Sequence, residues 1–186
     1  MFSKVKSILG NTCTNVFTQG KFTRVVPMSG STEARKSFCD FTDDVGIPET
    51  LWVDGAGEFT GKHTDFVKET RRCRTKLKTT EKGRKNQNHY AEGEIATLKK
   101  QWKHRMARKK APRRVWDFGL VYESEILSLM ACGHNRHSGY EEVFGETPDI
   151  SEWLDFDFYD LVWWLDDQPS YPDEKRRLTR WLGVSH

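Results

Sequence analysis

Two runs rich in β-branched and aromatic residues, Thr12–Thr18 and Lys21–Met28, flank Gln19-Gly20. So short a connection, with a glycine able to take positive φ, predicts a β-hairpin. Ser29-Gly30-Ser31-Thr32 then offers a helix cap, and Ala34, Phe38, Phe41 and Val45 recur at helical spacing until Gly46 and Pro48 stop the pattern. The apolar run Leu51-Trp52-Val53, bounded by Pro48 and Gly55-Ala56-Gly57, predicts a buried strand that opens into a loop. A helix from about Lys62 to Arg71, a strand from about Cys73 to Thr79 and a polar loop over Thr80–His89 follow. From Ala91 to about Lys110, Ile95, Leu98, Trp102 and Met106 form one apolar stripe on a helix that Pro112 ends. A further helix, about Val115–Met130, presents Phe118, Val121, Tyr122, Ile126, Leu129 and Met130. The remainder is dense in Gly, Pro, Asp and Trp and predicts loops with short strands. The order β-β-α-β-α-β-α-α predicts a mixed α/β sheet covered by helices.

Composition adds bounds. The 186 residues suit one core domain with a small appendage, and 12% aromatic side chains exclude wholesale disorder. No apolar run approaches the roughly 20 residues of a membrane span. The first ten residues carry no apolar signal segment, so the expected location is nucleus or cytoplasm, with no membrane partner. Cys13, Cys39, Cys73 and Cys132 are isolated and read as thiols rather than as a disulfide framework.

Charge changes the picture more. The net charge of +3 divides into −1 over residues 1–61, +14 over 62–114 and −10 over 115–186. A solvated helix face explains any single basic run. An excess of fourteen cations within one stretch costs stability through self-repulsion unless a polyanion neutralises it, and nucleic acid is the natural candidate. The acidic third can offset part of it within the fold.

Asp54 directly follows the strand Leu51-Trp52-Val53, beside a glycine-rich turn, where a carboxylate suits a divalent cation. On its own the dipeptide Asp54-Gly55 is an ordinary turn. Glu92 lies in the first turn of the basic helix, where either it or Glu94 complements the helix dipole. Together the two signals say more. Leu51-Trp52-Val53-Asp54-Gly55-Ala56-Gly57-Glu58-Phe59-Thr60, with 37 residues between Asp54 and Glu92, and Gln87-Asn88-His89-Tyr90-Ala91-Glu92 resemble the catalytic core of retroelement integrases. These are DDE recombinases, and the likeness is greatest to those of copia-type LTR retrotransposons. His89 stands where that family carries Gly.

The resemblance covers roughly residues 10–130. It implies an RNase H-like mixed sheet flanked by helices, N-terminally truncated, as a domain over residues 1–131. Residues 132–186 become a linker and an incomplete, small β-rich C-terminal segment. Thr147-Pro148-Asp149 and Lys175–Ser185 match that segment more loosely. The implied activity is DNA integration by phosphoryl transfer with two Mg²⁺ (or Mn²⁺) ions held by three carboxylates. Asp54 and Glu92 match the second and third, as catalytic and metal-binding residues. No Asp precedes Asp40, so the first carboxylate is expected upstream of Met1 and this chain is expected to be inactive alone. The implied partners are DNA, as retroelement ends and target, and further copies in the parent protein.

Lys99, Lys100, Lys103 and Arg105, with Asn88, are the candidate nucleic-acid contacts, each against the alternative of a solvated face. A non-catalytic nucleic-acid-binding remnant using the basic 62–114 surface is the competing reading. Cys132, His134 and His137 hint at zinc but lack an evident fourth ligand. Trp153, Trp163, Trp164 and Trp181 are expected to fill a small core.

Overall fold

Gly20, at φ 56°, closes a tight turn between β1 (Cys13–Gln19) and β2 (Phe22–Met28), which pair antiparallel from Gln19↔Phe22 to Cys13↔Met28. Side chains alternate across a strand, and both faces of this hairpin are covered. On one face Phe17 stacks on Phe41 at 4.3 Å and Asn15 donates to Ser37, both partners belonging to α1 (Ala34–Val45). On the other face Val16 and Val25 pack with Leu98, Trp116 and Leu120. The hairpin is thus the middle layer between α1 and the pair α4 (His89–Arg108) and α5 (Trp116–Leu129). The computed structural model describes residues 6–80, 89–131, 137–168 and 174–184.

One hydroxyl locks β2 to α5. Ser128 Oγ accepts from the Thr23 backbone N–H at 2.8 Å and lies within 2.9 Å of the Thr23 carbonyl and 2.8 Å of the Ser124 carbonyl.

β3 (Thr50–Val53) and β4 (Lys76–Thr79) pair parallel, joined through the short α2 (Gly57–Thr60) and α3 (Asp65–Arg72). Thr64 caps α3, its side chain accepting from the Val67 N–H. Leu51 and Val53 face the cluster of Phe38, Phe41, Phe66 and Val67, whereas Trp52 points outward, 47% exposed beneath the Lys78 ammonium. The chain is mixed α/β, as the pattern predicts. A single mixed sheet is not what forms: among the described residues there are three two-stranded sheets, and β1 and β3 each have a neighbour on one side only.

The C-terminal stretch departs further from the expected loops. It forms α6 (Gly139–Phe144) and α7 (Ser151–Asp155) before the hairpin of β5 (Leu161–Leu165) and β6 (Arg176–Arg180). Local chemistry explains α6: Ser138 and Glu141 make a reciprocal capping box and Gly145 ends the helix at φ 73°. At Gly139 a side chain has no room, because a Cβ would collide with the backbone of Lys21 and Phe22. Phe158, fully buried with Val115 and Tyr122, anchors the segment to α5. Of the four tryptophans expected in a core, Trp153 and Trp181 pack there. Trp163 and Trp164 do not, at 69% and 52% exposed, because the two-stranded sheet that carries them has no covering layer among the described residues. No described helix is long and apolar enough to cross a membrane.

Candidate functional site

Asp54 sits one residue beyond β3, exposed, its Oδ1 accepting from the Ala56 N–H at 3.2 Å. The turn is held from behind: Phe59 meets Phe66 edge-on at 5.0 Å, so the motif's aromatic residue anchors the loop while the carboxylate stays in solvent. A Cβ at Gly55 or Gly57 would meet nothing within 4 Å, so packing does not require glycine at either position.

Glu92 lies in the first turn of α4, exposed, with no hydrogen bond or ion pair among the described residues. Its neighbour Glu94 differs. Glu94 is partly buried and takes the Lys21 ammonium at 2.9 Å, tying α4 to the β1–β2 turn. The structure thereby separates two acidic residues that the sequence leaves equivalent: Glu94 is structural and Glu92 is available.

Each residue of an α-helix advances about 100°. Counting from Glu92, Ala96, Lys99, Lys100 and Lys103 fall on one face, and Lys103 stands about 16 Å down the axis at about 1.5 Å per residue. Ala96, Lys99, Lys100, Gln101, Lys103 and His104 line a shallow surface concavity of about 820 Å³. Ile95, Leu98, Trp102 and Met106 occupy the adjoining side, centred about 100° around the helix, with Leu98 fully buried. His104 lies beside the basic face, where helical periodicity places it.

Arg105 does not belong to that face. It lies about 200° beyond Lys103 around the helix, on the core side, and its guanidinium is committed to Glu123 and to Asp157. Asp157 also binds Arg108 at 2.7 Å and Lys109 at 2.9 Å, and Asp160 holds Lys109 at 2.6 Å. Burial opposes ionisation of Asp157, but the Lys109 hydrogen bond and the charge of Arg105 hold its carboxyl below the usual range. Burial, followed by the nearby Asp157 charge, pushes the Tyr122 phenol up to about 12. The acidic third of the chain therefore neutralises Arg105, Arg108 and Lys109 at the C-terminal end of the basic helix, while Lys100 and Lys103, midway along it, keep a positive face.

Asn88 lies outside the described residues, as do Cys132 and His134. His137 is exposed, with Nδ1 3.6 Å from Glu141. Among the described residues no group of three or more His, Cys, Asp or Glu side chains is arranged to hold a metal ion. Asp54 and Glu92 are thus two carboxylates on separate elements, and no third joins them there.

No family model matches the chain, and no curated protein matches it. Solved structures do. The chain is similar to a chain in the cryo-electron microscopy structure of the simian T-cell lymphotropic virus intasome in complex with PP2A regulatory subunit B56 gamma. The TM-score is 0.61 at 13% identity, and the match covers 89% of this chain but 59% of that one. At that identity the likeness is one of fold.

Proposed function

We propose that this chain is the core of a retroelement integrase of the copia type, with an RNase H-like architecture, and that it grips DNA along α4. The observation that carries this reading is the phase of that helix. The uncommitted carboxylate of Glu92 heads the same face as Lys99, Lys100 and Lys103. A DNA backbone lying along the lysines would therefore end at the carboxylate, and phosphate contacts of this kind position a duplex without reading its sequence. The intasome chain of similar fold supports the reading. So do the edges of β1 and β3 that have no neighbour among the described residues, both backed by α1, which suit a sheet completed by a further strand.

In this reading Asp54 and Glu92 are the second and third metal-binding carboxylates. Mg²⁺ or Mn²⁺ ions, when bound to a complete site, activate the attacking oxygen and stabilise the leaving one. Among the described residues Asp54 and Glu92 supply two of the three carboxylates that such a pair of ions takes. What this chain's own residues do is bind and orient: Lys99, Lys100 and Lys103 neutralise phosphates, and the Phe59 anchor fixes Asp54. A non-catalytic nucleic-acid-binding role for the 62–114 surface is the second reading, which rests on the excess positive charge of that stretch.

The test is fluorescence anisotropy with a labelled DNA duplex across a salt series, alongside a Mn²⁺-dependent nicking and joining assay. Binding that weakens steeply with salt, without nicking, is the expected result. Absence of binding at low salt sinks the nucleic-acid reading, and Mn²⁺-dependent joining by this chain rejects the non-catalytic one.

A further inference from the structure

The β5–β6 hairpin turns an apolar face to solvent. Its register sets Leu161 opposite Arg180, Trp163 opposite Leu178 and Leu165 opposite Arg176, and opposed residues in an antiparallel pair share a face. Leu161, Trp163, Leu165 and Leu178 therefore form one patch, each more than half exposed. Among the described residues Trp163 makes no ring contact or hydrogen bond, and Arg176, at one end, has no partner. An uncovered two-stranded hairpin is marginal, and an exposed apolar patch of this kind marks an interaction surface.

Elsewhere the same chain holds a surface of opposite character. A cavity of about 510 Å³ opens between β2, the end of α1, α5 and α6. Phe22, Tyr140, Phe144 and Trp153 give it aromatic walls, while Asp44, Glu125, Asp149 and Glu152 line it with carboxylates. Among the described residues the one cation in its lining is Arg24, already engaged by Asp44 and, at 3.8 Å, by Glu125. Glu152 has no partner among the described residues. The cavity is of a size that takes an aromatic side chain with a neighbouring aliphatic one.

We propose that this cavity receives the β5–β6 hairpin of a second copy of the chain, with Trp163 as the anchor between the aromatic walls and Arg176 meeting Glu152. The match is one of shape class and of charge: an apolar, arginine-flanked projection and an aromatic, acidic recess on one molecule. Because the two surfaces differ, one contact leaves a hairpin and a cavity unfilled, so copies close as a reciprocal pair or add in larger rings or chains. Neither Asp54 nor α4 takes part, and this association is independent of nucleic-acid binding.

Sedimentation of the nuclease-treated full chain over a concentration series tests it, with circular dichroism confirming that each variant is folded. The wild-type chain is expected to gain mass with concentration. Trp163→Ser, at an exposed position, should weaken association by about tenfold or more. Arg176→Glu and Glu152→Arg should each weaken it by about tenfold, since each alone sets like charges face to face. An equimolar mixture of those two variants should recover it, because every hairpin then finds a pocket of opposite charge. A wild-type chain that stays monomeric, single variants that associate like wild type, or a mixture that stays dissociated would each overturn the proposal.

Discussion

Arg105 Nη1 meets Asp157 Oδ1 at 2.5 Å across 52 positions of sequence, and the same carboxylate also holds Arg108 and Lys109. One acidic side chain thus occupies three cations of the basic helix and its C-terminal extension. Asp157→Ala should release Arg108 to solvent and leave Lys109 held by Asp160 alone. DNA affinity should then rise and the salt dependence steepen, while the denaturation midpoint falls because Arg105 loses part of its compensation. Anisotropy and urea denaturation on one protein sample read both effects, and unchanged affinity would mean that the released cation does not reach the DNA.

The lysines and Arg105 should respond in opposite ways. Lys100→Ala and Lys103→Ala are expected to weaken DNA binding and to lower the salt slope by about 0.9 for each phosphate no longer neutralised, with little change in stability. Arg105→Ala removes the partner of Glu123, a carboxylate only 3% exposed. It should cost about 3 kcal/mol or more and leave the salt slope intact. If Arg105→Ala instead flattens the slope while the protein stays stable, the assignment of faces on α4 is wrong.

Acid should loosen the same region. Asp157 and Asp160 both ionise below their ordinary range, Asp160 chiefly through the Lys109 hydrogen bond. A depressed carboxyl contributes stability that is present above its unfolded pKa and lost as pH falls through the folded one. The thermal midpoint should therefore drop below the normal carboxylate range, and Asp157→Asn should reduce that drop. Tyr122 works at the other extreme. Its raised value favours the neutral phenol, so its contribution is lost as pH climbs from about 10 to about 12. Ultraviolet titration of the phenolate, with Tyr122→Phe as control, checks it.

Ser128→Ala should destabilise the fold by about 1–3 kcal/mol, because it leaves the buried Thr23 N–H without an acceptor. Gly139→Ala, which drives a Cβ into the backbone of Lys21 and Phe22, should be worse. Denaturant midpoints rank the two, and a tolerated Gly139→Ala would show that α6 can shift away from β2.

The hairpin, α1, α4 and α5 are legible because each is governed by a local period. Gly20, Pro48 and Pro112 punctuate them where the structure ends them. The Asp54 loop and the head of α4 are legible as motif positions. What local reading misses is rotation and distance. Arg105 looks like one more cation after Lys103, yet a step of two residues carries it to the far side of the helix. Its partner Asp157 belongs to a segment with no periodicity to announce it. Trp163 and Trp164 mislead for the converse reason: their size suggests a core, but only a third layer would make one. Glu92 and Glu94 cannot be told apart without Lys21, seventy-three residues before Glu94.

The alignment of Glu92 with its lysines has a consequence for lineage as well as for chemistry. Point substitutions on the exposed face of α4 can be absorbed one at a time. A single inserted or deleted residue between Glu92 and Lys99 cannot, since it turns every later side chain through about 100° and presents Leu98 and Trp102 to water. The spacing within that helix is therefore protected by the core rather than by the ligand. A descendant whose lysines drifted would still keep the count of residues.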